Sequence, residues 1–377
     1  MDSPPTPAPI APAPVPAPPR TDYQVEFTAT GAEYFRVWFV NVALTIVTLG
    51  IYSAWAKVRN KQYFYGNSRL AGGSFAYTAN PINILKGRLL VFGVFVAYQL
   101  AVTFQPVAAL ILALFIIPLL PWIIIKSVGF NLRYSSYRGL RFHFDGTYWE
   151  AFRIYLLLTL AVVASFGLAY PYVAWRRRQF LVDRSRYGRS PFAFSGEVGF
   201  FYVVYIIAGI AYMGAAFGGS LLVAAAAAIG AVISGVGTED MGGVEKVDKE
   251  TIQILVIAGG AIVYVAFFVL FIAIATGIQA MIANHSWQRT RIGAVTFDLK
   301  LNLWRMVWIQ MSNVVAIILS IGLLIPWAKV RKTRYWLSCF TVSAVSEELE
   351  RFVAAERERV EATGAELGDA LDLDLGI

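Results

Sequence analysis

Polar side chains set inside apolar runs mark where this sequence could do chemistry. Asn41 and Asn313 each stand fourteen residues before a tryptophan, Trp55 and Trp327, that closes an apolar run; Thr45 and Thr48 follow the first asparagine and Ser320 the second. In a bilayer such groups are costly, and they either line a solute path or bond between helices. Asn41, Asn313, Thr45 and Thr48 are therefore the candidate lining of a solute path. Beyond each tryptophan, basic residues follow at helical spacing: Lys57 and Arg59 in one place, Lys329 and Arg331 in another, Arg176, Arg177 and Arg178 between them. Trp55 and Trp327 suit the headgroup layer, and the seven basic residues suit anionic headgroups.

Other chemistries find little here. Cys339 is the single cysteine, and His143 and His285 are too far apart in sequence for a metal-ligand spacing. Glu33, Asp145, Glu150, Glu197 and Asp298 flank apolar runs rather than interrupt them, so no relay of buried acids is visible. No phosphate-cradling loop, nucleophile elbow or zinc-protease signature occurs. The expectation is a protein that is not an enzyme, with no metal, no cofactor and no nucleic-acid partner; its partners would be membrane lipids and, in one arrangement, further copies of itself.

The elements that must position these residues are apolar and long. At 58% hydrophobic, 15% charged and a mean hydropathy of +0.59, the 377-residue chain is too apolar for an ordinary soluble protein. About seven stretches reach spanning length: 34–55, 88–104, 107–125, 149–173, 198–217, 251–283 and 303–327, with 219–235 marginal. Residues 1–22 read as a disordered proline-rich tail, 23–345 as a transmembrane domain, and 346–377 as an amphipathic helix followed by an acidic tail that docks on the chain's own basic segments.

The chain also resembles itself. A shift of 117 pairs Phe27 with Phe144, Gly50 with Gly167, Trp55 with Tyr172, Arg59 with Arg176, and Phe75 with Phe192; a further shift of 155 carries Gly167 to Gly322, Pro171 to Pro326 and Arg176 to Arg331. Each unit reads as apolar helix, Gly-x-x-x-Pro-aromatic junction, basic helix, short extended stretch and apolar hairpin. The fold class expected is thus all-α: a polytopic membrane protein of about seven apolar helices, made of two full units and a third half. The junction is expected to bend a helix near its end, because proline removes a backbone bond.

With "LGIYSAWAKVR", "NSRLAGGSFAY", "SIGLLIPWAKVRKTRYW" and the terminal "LGDALDLDLGI", the chain resembles the YjgN-like family of bacterial inner-membrane proteins from about Phe27 to its C-terminus. Ala54 stands where that family's first junction usually has proline. The resemblance implies the bacterial inner membrane and no particular activity.

Charge leaves two topologies open. If the first helix of each unit spans, Arg176, Arg177, Arg178, Arg184, Arg186 and Arg189 fall outside, against the positive-inside rule, and the units are inverted as in many transporters. If that helix enters and leaves on one side, every basic segment and the C-terminal tail stay cytoplasmic, but a break in the helix is then required. The function expected is transporter- or channel-like handling of a small solute or lipid, the alternative being a non-catalytic membrane-organising or lipid-binding scaffold.

Overall fold

A computed structural model describes residues 20–235, 249–345 and 348–362. The proline-rich head, the loop 236–248 and the acidic end of the tail lie outside the described residues. Ten short strands close into one antiparallel barrel in which β1 (Arg20–Phe27) sits between β2 (Ser68–Leu70) and β10 (Phe340–Val345). Four tight hairpins supply the rest: β2 with β3 (Gly73–Tyr77), β4 (Ser135–Tyr137) with β5 (Leu140–Phe144), β6 (Ser185–Tyr187) with β7 (Ser190–Phe194), and β8 (Thr290–Ile292) with β9 (Val295–Leu299). Their two-residue turns have positive φ at both positions in Ala71-Gly72 and Arg138-Gly139, the type I′ pattern whose twist matches that of the strands.

Every connection between these hairpins is a pair of helices. From β1 to β2 run α1 (Gly31–Val47) and α2 (Ser53–Gly66); from β3 to β4, α3 (Pro81–Phe104) and α4 (Pro106–Arg133). From β5 to β6 run α5 (Tyr148–Ala151), a π-helical stretch (Phe152–Leu157), α6 (Leu158–Ala164) and α7 (Tyr170–Asp183). Then follow α8 (Val198–Gly235) and α9 (Lys249–Gln288), and finally α10 (Leu303–Leu319) and α11 (Ile325–Ser338) before β10. Because the strands alternate direction, all five helical pairs leave from and return to one rim, while the four turns line the other.

The all-helical expectation of about seven spanning helices is corrected by this architecture. Among the described residues four helices are long and apolar enough to cross a membrane, within α3, α4, α8 and α9. The stretches 34–55, 149–173 and 303–327 do not span, because each contains a complete chain reversal. The short extended stretches belong to the barrel, with strands of three to eight residues. Extra length in the second apolar hairpin takes the form of α8 and α9 with 38 and 40 residues, against 24 and 28 in α3 and α4, and the marginal run 219–235 is the continuation of α8.

Inside the barrel, alternate residues build an apolar core including Leu140, Tyr187, Ile292, Val295, Leu299 and Val342. The tyrosine hydroxyls within it are satisfied: Tyr137 donates to the Leu70 carbonyl at 2.8 Å and Tyr187 to that of Tyr137 at 3.0 Å. A cavity of about 190 Å³ remains, lined by apolar and aromatic side chains such as Phe75, Phe142, Phe192 and Phe297. The last helix, α12 (Glu348–Ala362), closes the turn rim with Phe352 and Val353 against this core. Its buried Glu356 accepts from the Arg189 amide at 2.8 Å and from Ser190 Oγ at 2.7 Å, while Arg357 donates to the Arg138 carbonyl at 2.6 Å. Burial alone would raise the Glu356 carboxyl, but these bonds and Arg359 outweigh it and hold it below the usual range.

Closure joins the first and last strands, with Asp22 opposite Ser343 and Ser343 Oγ donating to Asp22 Oδ1 at 2.6 Å. In a Cys339→Ser chain, Asp22→Cys with Ser343→Cys should therefore form an intramolecular disulfide on mild oxidation, seen as altered mobility on a non-reducing gel. Absence of the cross-link would rule out this register.

Candidate functional site

The features that distinguish this surface are three helical reversals and the clefts beside them. Helix α1 ends in a Schellman motif: the Leu49 amide bonds the Ile46 carbonyl at 3.1 Å and the Gly50 amide bonds that of Thr45 at 2.7 Å. The same two bonds end α6 at Phe166 and Gly167, and α10 at Ile321 and Gly322, with lengths of 3.1 and 2.8 Å in each. Leu49, Phe166 and Ile321 have φ of 50°, 51° and 51°, and Gly50, Gly167 and Gly322 have φ of 93°, 91° and 87°. A hydroxyl then caps each return helix: Thr48, Ser165 and Ser320 accept the amides of Tyr52, Ala169 and Leu324 at 2.9, 3.0 and 3.0 Å. Glycine, not proline, makes the turn. Ala54, Pro171 and Pro326 lie in the first turn of α2, α7 and α11, where the amide that the two prolines lack costs nothing.

The residue before each glycine carries the physical message. A left-handed conformation costs a non-glycine residue roughly 1–2 kcal/mol, yet Leu49, Phe166 and Ile321 adopt it while 94%, 97% and 94% exposed. Water would make that arrangement doubly unfavourable. Transfer of such a side chain to an apolar phase returns about 1.5–3 kcal/mol, enough to offset the strain. Exposed Arg176 follows Gly167 by nine residues, and Lys57 and Lys329 each follow the tip glycine by seven, a rise of about 10 Å at helical pitch. That length fits within half of a hydrocarbon core about 30 Å thick.

Within each reversal, polar side chains tie the outbound helix to the return helix. Asn41 Nδ2 donates to Asn60 Oδ1 at 3.1 Å, leaving Asn41 Oδ1 buried without a partner. Asn313 Nδ2 donates to the Ala328 carbonyl at 3.2 Å, and its Oδ1 accepts from Arg331 at 3.1 Å. In the middle reversal Arg177 bonds Thr159 Oγ1 at 2.8 Å and lies over Tyr155. Thr45 and Thr48 return their hydroxyls to the carbonyls of Asn41 and Leu44. Each asparagine thus bonds across its own reversal, and neither lines the clefts described below.

The interface residues divide. Lys57, Arg59 and Arg176 are exposed, and half-buried Trp55 stacks on Tyr52. Arg178 lies over Trp287, and Lys329 donates to Tyr34 Oη at 3.2 Å and lies over Phe64, fastening α11 to the first reversal. Arg331 bonds Ser312 Oγ at 2.7 Å besides Asn313 and lies 5.1 Å from the Trp327 ring.

Two clefts of about 580 Å³ each flank the second and third reversals. Arg153, Arg176 and Arg184 line one beside Glu150 and Asp183; Arg305, Arg331 and Arg334 line the other beside Trp308 and Trp327. Sequence reasoning sets Arg334 among the basic residues facing the headgroups but gives Arg305 and Trp308 no role, although the shift of 155 pairs these two with Glu150 and Arg153.

The profile of a family described as "Bacterial protein of unknown function (DUF898)" matches residues 22–370. The proteins named inner membrane protein YjgN from Escherichia coli O157:H7 and Escherichia coli strain K12 are each 32% identical to this chain, over 148 and 150 residues. Their namesake from Salmonella typhimurium is 31% identical over 146. In the first two the match covers 38% of this chain and 37% of the relative; in the third it covers 37% of each. No solved structure matches.

Asn313→Leu should lower the unfolding midpoint in detergent by the equivalent of about 1 kcal/mol, since it frees the Ala328 carbonyl and one partner of Arg331. An unchanged midpoint would show that this tie carries no stability.

Proposed function

The chain belongs to the DUF898 family of bacterial proteins, and we propose that this member is a non-catalytic, lipid-binding protein that organises the inner membrane around a cytoplasmic barrel. The observation that carries the reading is the set of three strained, fully exposed apolar tips at Leu49, Phe166 and Ile321, each backed by exposed basic residues within a few helical turns. Such an element is a wedge: its tip enters hydrocarbon and its charges stay at the headgroups. Two spanning pairs, α3–α4 and α8–α9, anchor the barrel from the same rim.

The family's YjgN relatives are named for the inner membrane, and the four spanning helices agree with that location. Exposed Arg69, Arg141, Arg189 and Arg291 on the barrel favour its cytoplasmic placement, together with the C-terminal helix that plugs it. Under this reading the recurrence at shifts of 117 and 155 is an internal repeat whose units all keep one orientation.

Transport of a solute has less to support it. The barrel core is apolar and stoppered by α12, and both polar groups of Asn313 are bonded within its own reversal. Unpaired Asn41 Oδ1 is the feature that favours a polar path.

Single cysteines placed at Arg69, Arg141, Arg189 and Arg291 of a Cys339→Ser chain should all resist an impermeant maleimide in intact cells and all react after permeabilisation. Labelling of one from outside, with another protected, would contradict the single-sided barrel.

A further inference from the structure

The two clefts beside the reversals are lined by residues in one register. From the second to the third, Glu150 gives way to Arg305, Arg153 to Trp308, Tyr172 to Trp327, Arg176 to Arg331, Gln179 to Arg334 and Asp183 to Ser338, each 155 positions on (150 to 305, 183 to 338). The scaffold is retained, and Ile154 becomes Ile309 and Phe180 becomes Tyr335 in the same positions. Charge is what changes. The second cleft sets three arginines against two carboxylates; the third sets three against none among its lining residues.

In the second cleft the charges are used internally. Glu150 pairs with Arg184, Asp183 accepts the Phe194 amide at 2.8 Å, and Arg176 donates to Gln179. In the third, each guanidinium is held from one side. Arg331 is fixed by Ser312, Asn313 and the Trp327 ring, Arg334 by the Ala29 carbonyl at 2.6 Å, and Arg305 by the face of Tyr335 at 5.1 Å. A guanidinium has five donors, so each retains free N–H groups after these contacts. Three such groups with no counter-ion among the described lining residues form a preorganised receptor for a tetrahedral anion with several oxygens.

We propose that the third cleft binds a phosphate-bearing anion, and that the anion is the headgroup phosphate of an anionic phospholipid. This rests on the lipid-seated reading of the reversals, because it is the tip at Ile321 that brings the cleft to headgroup depth. Trp308 and Trp327, 67% and 41% exposed, border the cleft where amphipathic rings favour the interface and can cover the glycerol and upper acyl region. Free phosphate would satisfy the arginines and leave both tryptophans uncovered.

The natural second cleft supplies the test variant. Arg305→Glu with Arg334→Gln and Ser338→Asp gives the third cleft the second one's side chains at those three positions, both carboxylates included, while Trp308 and Cys339 still stand where the second has Arg153 and Arg184. The control, Arg69→Glu with Arg141→Glu, makes the same change in net charge on exposed strand residues outside both clefts. Purified full-length chains in phosphatidylcholine nanodiscs are titrated with phosphatidylglycerol bearing a quencher near the headgroup, and tryptophan quenching is read. In parallel, inorganic phosphate is titrated alone. The proposal expects the triple variant to bind phosphatidylglycerol about tenfold or more weakly while the control stays within about twofold of the unaltered chain.

Saturable protection of the unaltered chain by inorganic phosphate, with no phosphatidylglycerol preference, would keep the anion site and overturn its lipid assignment. Equal phosphatidylglycerol affinity in the triple variant and the unaltered chain, with no response to phosphate, would overturn the site itself. Thermal melting of each variant separates a misfolded chain from lost binding, and a triple variant that does not fold is replaced by Arg305→Gln alone. The maleimide pattern on the barrel is unaffected by any of these outcomes, so failure of the cleft and failure of the single-sided reading remain distinct.

Discussion

Closure of the barrel is the constraint from which the rest follows. β1 completes it by pairing with β10 on one side and β2 on the other, so the first and last strands share one hydrogen-bonded ring. In an antiparallel ring built of two-residue turns on one rim, every longer connection must depart from and return to the opposite rim. The five helical pairs are those connections. Whatever each does in the bilayer, it comes back to the face it left. The basic segments need not alternate across the membrane, and the conflict that charge created for spanning first helices disappears.

The same constraint explains the two kinds of helical pair. α3, α4, α8 and α9 each have length and apolar character enough to cross a membrane. α1 and α10, of 17 residues each, are about 26 Å long, short of the hydrocarbon thickness, and they reverse at a strained residue followed by glycine. Under the proposed lipid seating, strain at Leu49, Phe166 and Ile321 is tolerated because an apolar phase rewards the side chain that glycine would lack. Asn41, Thr159 and Asn313 then hold the two arms of each reversal together, which gives polar residues set in apolar runs a structural use.

Much of this is legible in the sequence. Gly50, Gly167 and Gly322 recur at fixed shifts, the amphipathic end of the chain is a helix that docks on the barrel near Arg138 and Arg189, and the family resemblance holds. The reversals themselves are hidden because a Schellman motif usually advertises itself with glycine at its first left-handed position, and here Leu, Phe and Ile occupy it. Proline two residues into α7 and α11 draws the eye to the wrong residue. The barrel is hidden for another reason: strands of three residues, such as Ser68–Leu70, are too short to show a period of two, and their partners lie across helical pairs. The charge exchange between the clefts is present in the sequence, yet Glu150 and Arg305 gain meaning only once both are seen to line equivalent walls.

The depth of the three tips is what the proposed seating of the reversals depends on. Nitroxide labels at Leu49, Phe166 and Ile321, introduced one at a time into a Cys339→Ser chain in nanodiscs, report depth through their relative relaxation by oxygen and by a water-soluble nickel chelate. All three should be oxygen-accessible and shielded from nickel below one headgroup plane, Leu49 and Ile321 at about 10 Å and Phe166 at about 14 Å, as the spacing from tip glycine to first exposed basic residue sets. A tip reached by nickel, or one lying at the opposite headgroup plane, would contradict the seating of these reversals within a single leaflet.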